Sequence, residues 1–117
     1  MAALFVKDNH ELQDKIQKIG DKCGEKLWPL PLSDFNEKDV EGNFADVINT
    51  HKRNSRYGGA SSAAAFLSCF AKPFYFAHID MAPRMLVNPE EEFLAKGATG
   101  YGVRLLYEIA KSNLTCQ

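Results

Sequence analysis

The chain has 117 residues, which is enough for one small domain. Hydrophobic residues make up 45% and charged residues 25% of it, ordinary values for a globular protein that argue against a disordered or fibrous chain. The net charge is −1, from 14 Lys and Arg against 15 Asp and Glu, so the basic excess that is typical of nucleic-acid binders is absent.

The sequence carries few targeting or redox features. No stretch approaches the roughly 20 apolar residues of a membrane span. The start of the chain has no basic region followed by a long apolar run, so a secretory signal is not expected. The three cysteines, Cys23, Cys69 and Cys116, are widely spaced and odd in number. They are therefore predicted to be reduced thiols in a cytoplasmic protein.

A first helix is predicted after Asp8 or Asn9, either of which can cap it. Its apolar residues recur at helical spacing and form one stripe, and Gly24 follows as a stop. The stripe consists of Leu12, Ile16, Ile19 and Cys23.

An apolar segment follows, in which Pro29 and Pro31 alternate with leucines. Each proline removes a ladder donor, so the segment from Leu27 to Leu32 is predicted to be extended but not a central strand. Ser33 or Asp34 can cap a short helix that ends near Gly42.

Residues 43–57 are expected to form an irregular loop, and the alanine-rich run behind it predicts a helix from about Ala60 to Phe70. Small side chains let a helix approach its neighbours closely, so this helix is expected to be buried. Phe74 to Asp80 then predicts a strand whose side chains are apolar on both faces, as in a sheet covered by helices on both sides.

The last helix is predicted to begin between Thr99 and Tyr101, after a loop over residues 81–98. Its apolar face is predicted to consist of Val103, Leu106, Tyr107 and Ala110. The order helix, strand, helix over the second half indicates an α/β protein. Only one strand is predicted, however, and a lone strand cannot satisfy its own backbone groups, which suggests that the sheet is incomplete in this chain.

Several motifs have both a functional and a structural interpretation. His78 and Asp80 lie on one face of the predicted strand, but a metal site needs at least a third protein ligand, so they are expected to satisfy loop backbone groups. The basic stretch from His51 to Arg56 fits a solvated loop or a subunit contact better than a nucleic-acid surface. The glycines from Gly97 to Gly102 could cradle an anion at a helix start, although a tight turn that seats the last helix is favoured. Ser61 and Ser62 lack the setting of a nucleophile.

Several segments spread over the whole chain match the motifs of one protein family in order and spacing. The first is Gly24-Glu25-Lys26-Leu27-Trp28-Pro29-Leu30-Pro31-Leu32, which matches the pattern Gly-Glu-x-x-Trp-x-x-Pro-Leu. The others are Ala45-Asp46-Val47-Ile48-Asn49 with Gly58-Gly59-Ala60 and Ala63-Ala64-Ala65-Phe66-Leu67, then Ala77-His78-Ile79-Asp80-Met81-Ala82, and Gly97-Ala98-Thr99-Gly100-Tyr101-Gly102-Val103-Arg104. Together these segments resemble the leucine (cytosol) aminopeptidase family.

The resemblance implies that residues 1–117 are a C-terminal portion of a single three-layer helix–sheet–helix catalytic domain. In that family two divalent metals, zinc or manganese, activate a water that attacks the peptide carbonyl. The family's metal-binding segments and its catalytic Lys and Arg lie upstream of the matched region. Here Asn49-Thr50 is followed by His51-Lys52, and neither metal-binding segment occurs. No catalytic residue and no metal ligand is therefore assigned, and the chain alone is expected to bind no metal and to be inactive.

What the resemblance does carry over is one wall of the substrate pocket. The family lines the pocket for the N-terminal side chain with residues that correspond to Ala82 and Met85, and an adaptable apolar wall suits Leu or Met. The family usually has Gly where this chain has Pro83. Because proline fixes φ and removes a donor, a differently shaped wall is expected.

The functional expectation is thus a part of a metallo-aminopeptidase that removes Leu-type N-terminal residues from peptides in the cytoplasm. The intact enzyme is expected to be a homo-oligomer, a hexamer in the family, with no nucleic-acid or membrane partner. The alternative is a non-catalytic interaction module that associates with full-length subunits. A stand-alone binder that uses the basic stretch from His51 to Arg56 ranks last.

Overall fold

The structure is a computed structural model that describes residues 1–50, 58–86 and 96–112. Within these ranges the elements are β1 (Ala2–Val6), α1 (His10–Cys23), β2 (Leu27–Leu30), α2 (Asp34–Asp39), α3 (Gly59–Ser68), β3 (Ala77–Asp80), a 3₁₀ turn (Ala82–Arg84) and α4 (Val103–Lys111). None of the helices in these ranges is long and apolar enough to cross a membrane. The basic stretch from His51 to Arg56 lies outside the described residues.

The first helix has the predicted ends. Asn9 is the N-cap, and its side-chain oxygen accepts a hydrogen bond from the Leu12 N–H at 2.9 Å. Gly24 ends the helix in the left-handed region at φ 77°, which glycine adopts without strain. The predicted short helix is confirmed as α2, with Ser33 as its N-cap.

The central strand of the sheet is β1, which the sequence interpretation missed. The strand order is β2-β1-β3, and β1 pairs in parallel with β2, from Ala2 opposite Leu27 to Phe5 opposite Leu30. A run of five apolar residues is too short for periodicity to distinguish a strand from other buried structure. The assignment depends instead on the partner strands, which lie far along the chain.

The prolines place β2 at an edge of this sheet. The segment from Leu27 is extended, as predicted, and it also pairs as a strand through Leu30. Pro29 lies opposite Leu4 within the ladder. Since proline has no N–H to donate, this position is compatible with an edge strand, and the exclusion of a central strand is confirmed.

The strand predicted from Phe74 to Asp80 is shorter and more exposed than expected. It begins at Ala77, pairs antiparallel with β1, and pairs with no second strand among the described residues. Phe74 and Tyr75 precede it and are exposed. The strand buried on both faces is therefore β1, whereas the prediction that β3 lies inside a larger sheet stays a prediction.

Helices cover both faces of β1, in agreement with the predicted three-layer order. Because side chains alternate along a strand, successive residues of β1 enter two different clusters. One cluster, against α1 and α4, contains Ala2, Leu4, Val6, Leu12, Ile16, Leu27, Tyr101 and Leu105. The other, against α2 and α3, contains Phe5, Leu32, Val40, Ala64 and Ala65.

The two later helices differ from expectation in the faces that they bury. In α3 the small residues Ala64 and Ala65 are fully buried, as predicted. Ala63, which directly precedes them in the same helix, is exposed. In α4 the buried residue is Leu105, whereas the face predicted to be apolar is exposed. That face, Val103, Leu106, Tyr107 and Ala110, has the helical spacing of a buried stripe, yet nothing in the described part of the chain covers it.

An ion-pair cluster fixes the end of β1 against α2. Lys7 Nζ lies 2.8 Å from Asp34 Oδ1 and 2.9 Å from Glu37 Oε1. The hydrogen bond to Asp34, followed by that to Glu37, raises the pKa of Lys7 above its usual range. Lys7 in turn lowers the pKa of Asp34. The pairing thus favours the charged forms of Lys7 and Asp34 at neutral pH.

Candidate functional site

The candidate site is the segment that leaves the end of β3, residues 80–86, here called the wall segment. Asp80 Oδ1 accepts a hydrogen bond from the Ala82 N–H at 3.0 Å, which starts the 3₁₀ turn. The Arg84 N–H then donates to the Met81 carbonyl at 2.8 Å. Asp80 therefore satisfies loop backbone, as the structural interpretation of the His78 and Asp80 pair predicted.

Thr99 ties the wall segment to the loop in front of α4. Its hydroxyl donates to the Arg84 carbonyl, and its N–H donates to the Met85 carbonyl at 3.1 Å. Leu86 and Ala98 form an isolated antiparallel bridge beside it. Through these bonds a residue of the glycine-rich turn fixes the backbone on which Met85 is carried.

Pro83 fits the 3₁₀ turn without loss of a hydrogen bond. It is the second residue of the turn, and the first N–H donated within the turn is that of Arg84. A missing donor costs nothing at this position, where prolines are readily accepted. The missing N–H of Pro83 therefore does not alter the wall. Any change in the shape of the wall is expected to come from the fixed φ of Pro83 and from its ring.

The two predicted substrate-binding residues lie on an open surface. Ala82 is exposed, and Met85 is 53% exposed. They share the wall segment: Ala82 is the first residue of the turn, and Met85 follows its last residue. Their assignment to a pocket stays a prediction, since the described residues supply one apolar side and no enclosing second side.

His78 lies on the β3 face that points toward α2 and α3. Its ring centroid is 5.9 Å from that of Phe5 and 6.4 Å from that of Phe76, which is nearly parallel to it. Burial among these rings lowers the pKa of His78, and the charge of Asp80 opposes the shift only in part. The neutral imidazole is therefore favoured near neutral pH.

The residues present do not fit a two-metal centre. Over residues 1–50, 58–86 and 96–112 there is no group of three or more His, Cys, Asp or Glu side chains that could hold a metal ion. Asp80 uses one oxygen on the Ala82 N–H, and His78 stands between aromatic rings. No chemical step is assigned to a metal on this part of the chain.

A buried carboxylate that the sequence interpretation missed organises the other side of the site. Glu25 is 3% exposed, and its Oε2 accepts hydrogen bonds from the N–H groups of Gly102 at 3.0 Å and Leu105 at 2.9 Å. Its Oε1 lies 3.4 Å from Arg104 Nε. Glu25 thus caps the N-terminus of α4, where the helix dipole favours a negative charge.

Tyr101 completes this contact, which we call the Glu25 joint (Glu25, Lys26, Tyr101, Gly102 and Leu105). The Tyr101 hydroxyl donates to the carbonyls of Lys26 at 2.7 Å and Glu25 at 3.1 Å. Burial raises the pKa of Tyr101, so the hydroxyl remains a donor at neutral pH. No spacing rule could have found this joint, because its two halves are more than 70 residues apart.

The glycine-rich turn serves this joint. Gly100 and Gly102 have φ of 65° and 98°, a backbone conformation that favours glycine. The amide groups that could have cradled an external anion are occupied by the chain's own Glu25 carboxylate. The anion-site interpretation is therefore wrong, and the predicted turn that seats the last helix is confirmed.

The family model and the similar proteins point to the same family. Residues 1–107 match the model of the cytosol aminopeptidase family, catalytic domain. A probable cytosol aminopeptidase of Brucella anthropi is 39% identical over 112 residues, covering 96% of this chain and 22% of that protein. One from Rhodopseudomonas palustris is 37% identical over 108 residues, covering 92% and 21%.

A solved structure of a tomato leucine aminopeptidase mutant superposes on the chain with a TM-score of 0.79 at 31% identity. The match covers 96% of this chain and 21% of the tomato chain. The chain thus spans about a fifth of the length of the relatives that it matches. Since the family model covers almost all of the chain, the chain belongs to the cytosol aminopeptidase family.

Proposed function

We propose that this chain forms one portion of the catalytic domain of an aminopeptidase that removes Leu-type N-terminal residues from peptides. The observation that carries the proposal is the match of residues 1–107 to the catalytic domain of the family. The relatives support it by name, as probable cytosol aminopeptidases, and the tomato protein is named a leucine aminopeptidase.

The part that we assign to this chain is one apolar wall of the pocket for the substrate's N-terminal side chain. Ala82 and Met85 supply the surface, and the flexible Met thioether adapts to Leu or Met side chains. Asp80 and Thr99 position it, through the Ala82 N–H and the backbone of residues 84 and 85. The wall is exposed, as expected for a surface that other parts of the domain complete.

The reaction itself requires groups from elsewhere in the domain. The family is metal-dependent, and we propose that two divalent metals, zinc or manganese, are held outside this part of the sequence and activate the attacking water. The described residues offer no cluster that could hold them. The chain by itself is therefore proposed to be inactive.

The remaining expectations are proposals at the level of the intact enzyme. We propose a peptide substrate, a homo-oligomeric assembly and a cytoplasmic location, the last supported by the relatives' name of cytosol aminopeptidase. A second candidate is an interaction module that associates with full-length subunits. The exposed apolar stripe on α4, which includes Leu106 and Tyr107, favours this candidate because such a stripe usually packs against something.

The test is a chimera in which this chain replaces the matching 112 residues of the Brucella anthropi relative. We expect hydrolysis of a leucyl chromogenic substrate, and a kcat/KM that falls at least about tenfold with Met85→Glu, since a carboxylate facing an apolar side chain is costly to bury. Met85→Leu is the matched control and should retain activity. Unchanged kcat/KM for Met85→Glu would remove Met85 from the pocket.

The isolated chain provides the complementary measurement. It should show no turnover above a metal-only blank, and metal analysis after dialysis should find no stoichiometric zinc or manganese. Turnover, or about two metals per chain as in two-metal hydrolases, would contradict the proposal that the metals are held outside this part of the sequence. Co-sedimentation of the chain with the intact relative, together with an inactive chimera, would favour the interaction module.

A further inference from the structure

The hydroxyl of Thr99 takes part in two hydrogen bonds at once. It donates to the Arg84 carbonyl in the wall segment, so the lone pairs of the same oxygen are left to accept. They accept a hydrogen bond from the Tyr101 N–H at 3.1 Å. A hydroxyl that accepts one bond while it donates another is polarised by both, which strengthens each bond. The hold of Thr99 on the wall segment therefore depends on where the Tyr101 backbone lies.

Backbone stiffness does not fix Tyr101 in its place. Its two chain neighbours, Gly100 and Gly102, have φ of 65° and 98°, so Tyr101 lies between two glycines in the left-handed region. Glycine adopts both signs of φ about equally well, and the chain around Tyr101 therefore has little conformational preference of its own. The position of Tyr101 is set instead by its contacts with the rest of the fold.

The Tyr101 side chain supplies the anchor. It is 8% exposed, and its ring lies in the core cluster that also contains Leu4 and Leu105. The hydroxyl at the end of the ring donates to the carbonyls of Glu25 and Lys26, directly before β2. This hydroxyl thus fastens the flexible turn in front of α4 to the start of a sheet strand.

We propose that Tyr101 is a positioning residue for the substrate pocket: its hydroxyl holds Thr99, and through Thr99 the backbone of Met85, where the wall meets a Leu-type side chain. The last bond of this connection is the one from the Thr99 N–H to the Met85 carbonyl at 3.1 Å. Tyr101 itself touches no substrate. The inference rests on the proposed function of the wall segment and deepens it, because it names a group that sets which side chains the wall favours.

The expected consequence of losing this hydroxyl is a change of substrate preference. A loosened wall makes poorer contact with a large N-terminal side chain, whereas a methyl-sized side chain does not reach the wall and is nearly unaffected. One methylene of contact in an apolar pocket changes kcat/KM roughly 10–200-fold, so a partial loss of contact should lower kcat/KM for a leucyl substrate about fivefold. The reacting groups lie elsewhere in the domain, and kcat should therefore change little.

Tyr101→Phe in the chimera with the Brucella anthropi relative tests the inference, since it deletes the hydroxyl and keeps the ring. The variant should fold, because the Lys26 carbonyl keeps the Ala2 N–H as a second donor. We expect KM for a leucyl substrate to rise about fivefold, and kcat/KM for an alanyl substrate to change less than about twofold. Tyr75→Phe, which deletes an exposed hydroxyl, is the matched control. Unchanged constants, or equal losses on both substrates with KM unaltered, would overturn the proposal.

A double variant shows whether Tyr101 acts through Met85. Met85→Ala should by itself reduce the preference for the leucyl over the alanyl substrate, and Tyr101→Phe should then add no further change. A further change of the same size would show that Tyr101 acts by another route. A chimera without activity, or one in which Met85→Ala keeps the preference, contradicts the proposed function and this inference with it. An effect of Met85→Ala without an effect of Tyr101→Phe contradicts the inference alone.

Amide exchange in the 117-residue chain measures the connection without any assay of activity. In Tyr101→Phe the Thr99 amide, which is bonded to the Met85 carbonyl, should exchange about fivefold faster, the equivalent of one lost hydrogen bond. The amides of α1 should keep their rates. Faster exchange of all amides alike would indicate a general loss of stability, and an unchanged rate at Thr99 would show that the hydroxyl does not hold the wall segment. Either result would overturn the proposal.

Discussion

The Glu25 joint and the wall segment are both built from stretches that resemble the aminopeptidase family, yet they are opposite in character. The joint is buried: Glu25 is 3% exposed, and its carboxylate accepts bonds from the Gly102 and Leu105 N–H groups. The wall segment is exposed, with Met85 53% exposed, and it is held by hydrogen bonds within its 3₁₀ turn and by the bonds from Thr99.

This difference suggests two different reasons why a stretch of the chain resembles the family: internal hydrogen bonding in one case and an external contact in the other. Around Glu25 the residues satisfy one another, so their identity is explained within the described chain and no external ligand is required. In the wall segment hydrogen bonds hold the backbone of Ala82, Arg84 and Met85, but the side chains of Ala82 and Met85 are not covered. The first region is therefore a structural joint, and the second is a surface available for an external contact. Thr99 connects the two.

Removal of the buried carboxylate should give the largest effect on stability. Glu25→Ala leaves the Gly102 and Leu105 N–H groups without their acceptor, and we expect the free energy of unfolding to fall by about 3 kcal/mol. Urea unfolding followed by circular dichroism measures it. Arg104→Ala should cost less than about 1 kcal/mol, because that side chain is largely exposed.

A matched acidic control lies on α1. Glu11 pairs with Lys15 across one helical turn on the surface, and Glu11→Ala should change stability very little. Equal losses for Glu11→Ala and Glu25→Ala would show that the joint contributes no more than an ordinary surface ion pair.

The second prediction concerns the close approach of α1 to the joint. A Cβ added to Gly20 would lie 2.7 Å from the Glu25 carbonyl oxygen. Alanine normally stabilises a helix by about 1 kcal/mol relative to glycine, but here we expect Gly20→Ala to destabilise the fold by about 2 kcal/mol. Thermal unfolding is the measurement. Gly59→Ala is the control, because a Cβ there meets nothing within 4 Å, and a gain in stability at Gly20 would contradict the packing argument.

The smallest effect is expected where the two regions meet. Thr99→Val keeps the shape of the side chain but removes its bond to the Arg84 carbonyl and the acceptor of the Tyr101 N–H. We expect a loss of about 1 kcal/mol and faster amide exchange at Tyr101. Thr50→Val, at an exposed position, serves as the control. Unchanged exchange at Tyr101 would mean that Thr99 does not couple the joint to the wall segment.

Elements whose signals are local could be predicted from the residue pattern. The stripe of α1, its Asn9 cap and its Gly24 stop all lie within one stretch, and the structure has them where they were predicted. The alanine run gave α3 for the same reason. The family resemblance, and with it the choice of Ala82 and Met85, also came from short ordered segments, and the family is confirmed by the match of residues 1–107.

Features that depend on distant partners could be read only from the folded chain. Five apolar residues became the central strand β1 because β2 and β3 pair on its two sides, and Glu25 became a helix cap because α4 returns to it from about 80 residues away. The buried face of α4 also depends on a distant partner. Apolar spacing predicted that Val103 and Leu106 would be buried, but Leu105 is buried instead, because the Glu25 joint sets the rotation of the helix. Periodicity records which faces are apolar, whereas hydrogen bonds across the fold select the face that packs.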